Sequence, residues 1–177
     1  TMKKQIRTIA SILFSISCLG IQEVKSQGNI ENQKTIVSIE TDPSTFAFKG
    51  YAAHVRVKPK NSKHLQLGAG TYALDLPNMM INLNPDNKDK DWKVSISSAY
   101  SLFGEYYFKE ANSKWFVGLQ TGVQNYTIKN DQINDKESKY SNLLIMPSVG
   151  YTWMPFKIPF YLKPWAGLGY TTKVEGE

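Results

Sequence analysis

Trp92-Lys93-Val94-Ser95-Ile96-Ser97-Ser98-Ala99-Tyr100-Ser101-Leu102-Phe103-Gly104-Glu105-Tyr106-Tyr107-Phe108 is the stretch that decides the fold. Taken in steps of two, one set is Val94, Ile96, Ser98, Tyr100, Leu102, Gly104, Tyr106 and Phe108. The other is Lys93, Ser95, Ser97, Ala99, Ser101, Phe103, Glu105 and Tyr107. The first is mostly apolar, the second mostly small and polar. Successive side chains of a strand point to opposite faces, so this period predicts a strand with one greasy face. At ~3.3 Å per residue it is longer than the usual strand of a soluble sheet.

The same scheme recurs on both sides. Trp115 to Lys129 sets Val117, Leu119, Thr121 and Val123 against Gly118, Gln120, Gly122 and Gln124. Ser141 to Trp153, Phe160 to Thr172 and Phe46 to Val57 repeat it, and Leu65 to Leu76 does so until the pattern blurs after Tyr72. Pro147 and Pro164 fall inside two of these runs. Proline removes a ladder donor, so each predicts a bulge or an incompletely paired position.

Connections alternate in length. Lys58 to Lys63, Lys109 to Lys114 and Pro155 to Pro159 are short, whereas Asn78 to Asp91 and Asn130 to Tyr140 are long and polar. Short turns at one end and long loops at the other are the pattern of a transmembrane β-barrel. Thr35 to Thr41, followed by the turn Asp42-Pro43-Ser44, supplies a further strand and brings the count to seven. Bacterial single-chain barrels have even counts, so an eighth, closing strand is expected beyond Glu177, in a chain truncated at its C-terminus.

Lys3, Lys4 and Arg7 precede an apolar run from Thr8 to Ile21, and Val24-Lys25-Ser26 offers a cleavage site. This reads as a secretory signal peptide over residues 1–26, too short to span a bilayer as a helix. An alternative is a lipoprotein anchored through Cys18, although Ser15-Ile16-Ser17 lacks the usual upstream Leu. The chain carries a net charge of +6, and removing residues 1–26 leaves +3. With its lysines scattered through loops, it presents no nucleic-acid patch. One cysteine and two histidines exclude a disulfide scaffold and a Cys-rich zinc module.

Alternation alone fits a soluble barrel with its apolar face inside as well as a membrane barrel with that face outside. Aromatics near the strand ends favour the membrane: Trp92, Tyr106, Phe108, Trp115, Tyr151, Trp153, Phe160 and Tyr170 are the expected interfacial girdle. The opposite set, rich in Gly, Ser and Gln, suits a polar interior. A secreted or periplasmic barrel or sandwich is the alternative.

The Gly-aromatic strands, among them Val149-Gly150-Tyr151-Thr152-Trp153 and Trp165-Ala166-Gly167-Leu168-Gly169-Tyr170, together with the leader and the loop alternation, resemble small outer-membrane β-barrel proteins of the OmpA-like eight-stranded class. The resemblance implies an all-β, antiparallel, up-and-down barrel over residues 27–177. It also implies residence in the outer membrane of a Gram-negative cell, contact with outer-membrane lipid, and insertion by the barrel-assembly machinery. It brings no catalytic residues and no cofactor.

On this register His54, Arg56, Lys93, Glu105 and Lys163 share the interior face as a charge network. An acid–base site built on His54, Arg56 and Glu105 is the alternative, but no nucleophile with a matching base can be placed beside it. His64 reads as a solvated turn residue. Asp86, Asp89 and Asp91 lack the turn glycine of a calcium loop, so no metal is expected there. The leading expectation is a non-enzymatic structural or surface-interaction protein that meets an extracellular partner through its long loops. A narrow, porin-like pore or small-solute binder, and a lipid-modifying enzyme, are the alternatives.

Overall fold

The computed structural model of the protein describes residues 34–82, 85–88, 90–130, 137–155 and 160–176, and the backbone of Ser11–Gln22. The chain is all-β. Seven strands from Ile36 to Gly176 form a single antiparallel sheet in sequence order. They are β2 (Ile36–Thr41), β3 (Tyr51–Lys58), β4 (Leu65–Asp75), β5 (Trp92–Tyr107), β6 (Lys114–Asn130), β7 (Ser138–Thr152) and β8 (Phe160–Gly176). Ser11–Gln22 is extended and forms β1. It pairs with β8 from Ser11↔Gly169 to Ile21↔Phe160, and with β2 at Ile21↔Ile39 and Gln22↔Ser38.

The seven strands expected between residues 35 and 172 are all present. The place beside β8 that the sequence reserves for chain beyond Glu177 is held by β1, the apolar core of the expected leader. Apart from Leu13, the positions from Ser11 to Ser17 alternate, with Ser11, Ser15 and Ser17 against Ile12, Phe14 and Ile16, so these residues satisfy a strand's period as well as a leader's composition. The expected cleavage after Ser26 lies outside the described residues.

Short helical turns interrupt the long-loop end, among them α1 (Ser44–Ala47) and α2 (Asn78–Ile81), with a 3-10 turn at Pro85–Asn87. α1 takes Phe46 out of the strand expected from Phe46 to Val57, which starts at Tyr51. Asp42 sets this turn, accepting hydrogen bonds from the Ser44 backbone N–H at 2.9 Å and hydroxyl at 2.7 Å. No helix among the described residues is long and apolar enough to cross a membrane, which says nothing about strands.

Register is continuous over most of each ladder. β5 carries one extra residue between Ile96 and Ala99, which shifts it against both neighbours, opposite Tyr72–Leu74 of β4 and Tyr126–Asn125 of β6. That residue swaps the faces of β5 from Ile96 toward Trp92. Further shifts fall at Ser141/Asn142 in the β7–β8 pair and at Ser17/Gly20 in the β1–β8 pair. Pro147 and Pro164 behave otherwise. Ile145↔Tyr170 and Ser148↔Gly167 keep one register across Pro147, so the ladder is interrupted there without a bulge. Pro164 is opposite Ile16 of β1 in a run that is likewise unshifted from Ser11 to Ser17.

The sheet is curled enough for its ends to meet across the buried face. The Glu40 carboxylate of β2 lies 3.6 Å from the Lys163 ammonium of β8. Close strand approach at Gly122 is part of that curl: an added Cβ would sit 2.2 Å from the Tyr100 carbonyl oxygen and 2.8 Å from Ser101 Cα. These are backbone atoms and cannot swing aside. At Gly104, on the exposed face, an added Cβ would meet only Leu67 Cδ2, at 3.5 Å. Gly122→Ala is therefore expected to cost ~1–3 kcal/mol in denaturant unfolding, and Gly104→Ala no more than ~0.5 kcal/mol. Equal midpoints for the two variants would contradict the stated register.

Candidate functional site

Four ionised side chains meet inside the sheet: Glu40 (β2), Arg56 (β3), Glu105 (β5) and Lys163 (β8). All are buried, Glu40 and Lys163 to within 1% of full enclosure. Arg56 donates through Nε to Glu40 and through Nη1 to Glu105, the latter at 2.5 Å. Lys163 Nζ donates to Glu105 Oε2 at 2.5 Å. Tyr161 donates to the other Glu40 oxygen. The Tyr107 hydroxyl is 3.1 Å from Glu105 Oε2 and 3.2 Å from Gln66 Oε1, and it accepts from Thr152 Oγ1 at 3.5 Å. Two cations and two anions leave the cluster neutral, as enclosed charges require.

Small residues make the room for these long ones. Gly68 lies opposite Arg56 on one side and Phe103 on the other. The Phe103 ring occupies the space a Gly68 side chain would fill, an added Cβ falling 2.1 Å from Cε2. Arg56 then lies over that ring, 4.1 Å from its centroid. Gly118 is the cross-strand neighbour of Glu105. Lys163 sits 4.8 Å from the Phe116 centroid and 5.6 Å from that of Tyr107. Tyr107, Tyr161, Phe116 and Phe103 fill the remaining cross-section, leaving a cavity of about 40 Å³ lined in part by His54, Gln120 and Ser148. That is room for an ordered water.

The structure thus unites Arg56, Glu105 and Lys163 of the expected network and adds Glu40. His54 is on the same face but outside the ion pairs. Its ring lies over Gly70, edge-on to Phe103 at 5.6 Å, and its Nδ1 has no hydrogen-bond partner among the described residues. Lys93 does not belong to the network. It lies beyond the Ile96–Ser98 shift, exposed, in the row of Lys129. The same shift removes Trp92 from the expected girdle, because it shares a row with buried Asn130. His64 is no free turn residue: its Nδ1 lies 2.9 Å from the Tyr107 carbonyl oxygen and its ring stacks on Tyr106. Among the described residues no group of three His, Cys, Asp or Glu could hold a metal ion.

The outward face is the reverse of the interior. Ile39, Leu102, Leu119 and Leu168 are each more than half exposed. Tyr106, Phe108, Trp115, Tyr151, Trp153 and Phe160 gather at the short-turn end, with Trp115 edge-on to Tyr151 at 5.2 Å and Tyr106 edge-on to Phe108 at 6.1 Å. Tyr170 is exposed but shares a row with Ile145, Thr121 and Leu102, inside the apolar zone and not at its rim. Above that zone the outward side chains turn polar and bond to one another. Asn125 Nδ2 donates to Ser98 Oγ at 2.9 Å, and Ser141 Oγ donates to Asn125 Oδ1 at 2.7 Å. Higher still, Glu137 accepts from Lys129, and that hydrogen bond and charge hold its carboxyl below the usual range.

Removing one member of the network leaves an enclosed charge without its partner, which costs ~3–5 kcal/mol in buried ion pairs. Glu40→Gln is expected to lower unfolding stability by about that much, and Lys93→Gln by no more than ~0.5 kcal/mol. Denaturant titration of both variants checks this, and a Glu40→Gln protein as stable as the parent would refute the network.

No family model, no curated protein and no solved structure matches the chain.

Proposed function

We propose that the protein is a transmembrane β-barrel of the outer membrane of a Gram-negative cell, with a structural or surface-interaction role and no catalytic activity. The observation that carries the reading is the inverted distribution of side chains. Charges and amides are enclosed, and leucine, isoleucine and valine cover the outside. In water a contiguous apolar exterior is an aggregation liability, whereas in lipid it is what the solvent requires. Backbone groups in hydrocarbon must also be paired within the protein, which favours a sheet joined edge to edge. The pairing of β1 with both β8 and β2 is consistent with such closure.

The dimensions agree. On β6 the outward side chains from Trp115 to Val123 lie between the aromatic cluster and Asn125. That is about ten residues, which at ~3.3 Å each and a tilt of ~40° rise about 25 Å, the height of the apolar band on outer-membrane barrels. The bonded Ser98, Asn125 and Ser141 side chains would mark its upper limit. The short turns would face the periplasm and the long loops the cell exterior, where a partner would be met. Membership of the OmpA-like class is part of this proposal and rests on the same strand and loop pattern.

A pore is the less favoured role, because an eight-stranded barrel has an interior just wide enough for side chains. Here Arg56, Lys163, Phe116 and Tyr161 occupy it. A lipid-modifying enzyme is less favoured again, since no nucleophile–base pair is ordered among the described interior residues. Expressed in a Gram-negative host, the protein is expected in detergent extracts of the outer membrane. In planar bilayers it is expected to show no steady open state. Recovery from the aqueous periplasmic fraction would overturn the location, and stable single-channel conductance would overturn the closed interior.

A further inference from the structure

The strands are unequal in a way that bears on the bilayer. β6 and β8 have 17 residues each, but β2 has 6 and β3 has 8. At ~3.3 Å per residue and a tilt of ~40°, β2 rises about 15 Å and β3 about 20 Å, short of the ~25 Å band. The chain continues from β2 into α1, and from β4 into α2. These two turns expose large apolar side chains at the place where the strands stop: Phe46 is 60% exposed and Met79 78%, with Phe48 also exposed.

Both turns pair backbone N–H groups internally. In α1 the Thr45, Phe46, Phe48, Lys49 and Gly50 N–H groups donate to carbonyls between Asp42 and Phe46, and the Phe48 carbonyl accepts from Asp75 N–H at 2.9 Å. In α2 the Met80 and Ile81 N–H groups donate to the Pro77 carbonyl, and Asn82 N–H donates to that of Asn78. Buried Thr45 and Ile81 hold the turns to the sheet. α2 carries no charged residue. Near α1, Asp42 is held by Ser44, and the exposed Lys49 has a stem long enough to lift its ammonium toward water. A turn that pairs its own N–H groups and exposes apolar side chains is suited to the boundary between headgroups and acyl chains.

We infer that α1 and α2 lie in the upper interfacial layer of the bilayer, with Phe46, Phe48 and Met79 against acyl chains; α1 completes the apolar band where β2 and β3 fall short, and α2 extends it beyond the end of β4. This deepens the membrane reading and rests on it. The partner of this rim is lipid, and the polar segments elsewhere on the long-loop end remain for contacts outside.

The test uses the full chain with Cys18→Ser, refolded in phosphatidylcholine vesicles and spin-labelled at Phe46→Cys or Met79→Cys. Leu119→Cys serves as the mid-band control and Lys60→Cys as the aqueous control. The readout is the ratio of nitroxide collision with oxygen to collision with a water-soluble nickel chelate. Positions 46 and 79 are each expected to show a ratio several-fold above position 60. Ratios like that of position 60 at either site, with position 119 protected, would overturn the interfacial placement alone. A water-accessible position 119 would overturn the membrane reading itself and this inference with it.

Discussion

Enclosing Arg56, Lys163, Glu40 and Glu105 in the centre of a curled sheet is the constraint from which the rest of the architecture follows. Each charge forfeits its hydration, and only a partner at close range offsets that loss. The partners come from β2, β3, β5 and β8, so the network forms only when distant strands are brought together across the interior. Long side chains need short neighbours, which accounts for Gly68 beside Arg56 and Gly118 beside Glu105. A neutral, interlocked cluster packed against Phe103, Phe116, Tyr107 and Tyr161 also fills the cross-section. Its value is geometric as well as energetic, since buried pairs contribute little net stability but are costly to break.

A polar interior forces the apolar residues outward, because alternate positions on a strand cannot share a face. In the proposed membrane setting, lipid is a solvent in which an exterior of leucine and valine is at no disadvantage. On the membrane reading, interior chemistry and exterior solvent are two consequences of one period-two pattern. By the same pattern a one-residue register shift moves every side chain beyond it to the opposite face.

Much of this is legible in the residues. The central alternation from Ala99 to Tyr107 has large apolar groups on one side and Glu105 on the other, so side-chain chemistry alone assigns its faces. The same rule places Arg56 and Lys163 on the interior. It fails for Lys93, because Ser97 and Ser98 give no apolar contrast and the added residue between Ile96 and Ala99 leaves no mark on the pattern. Glu40 escapes for a different reason. Thr35 to Thr41 enters the sequence reading only as a strand to be counted, although Val37 and Ile39 alternate with Ser38 and Glu40 and already place the carboxylate inward. Aromatics are harder still. Tyr107 and Tyr161 fill the interior while Tyr106 and Trp115 face out, and adjacent tyrosines are distinguished only by parity. The turn at α1 is hidden because Phe46 extends the apolar character of β3 by composition, while Asp42 and Pro43 start a helical turn.

The central claim concerns the solvent of the outward face, and a charge placed there tests it most directly. Leu102 and Leu119 are more than half exposed, with no enclosed partner to disturb. Refolding of Leu102→Arg and Leu119→Arg into phosphatidylcholine vesicles, followed by denaturant titration, should show a loss of ~2–4 kcal/mol each, the cost of arginine near the bilayer midplane. Variants that refold as stably as the parent, and remain monodisperse in water without detergent, would show that this face meets water and would contradict the account.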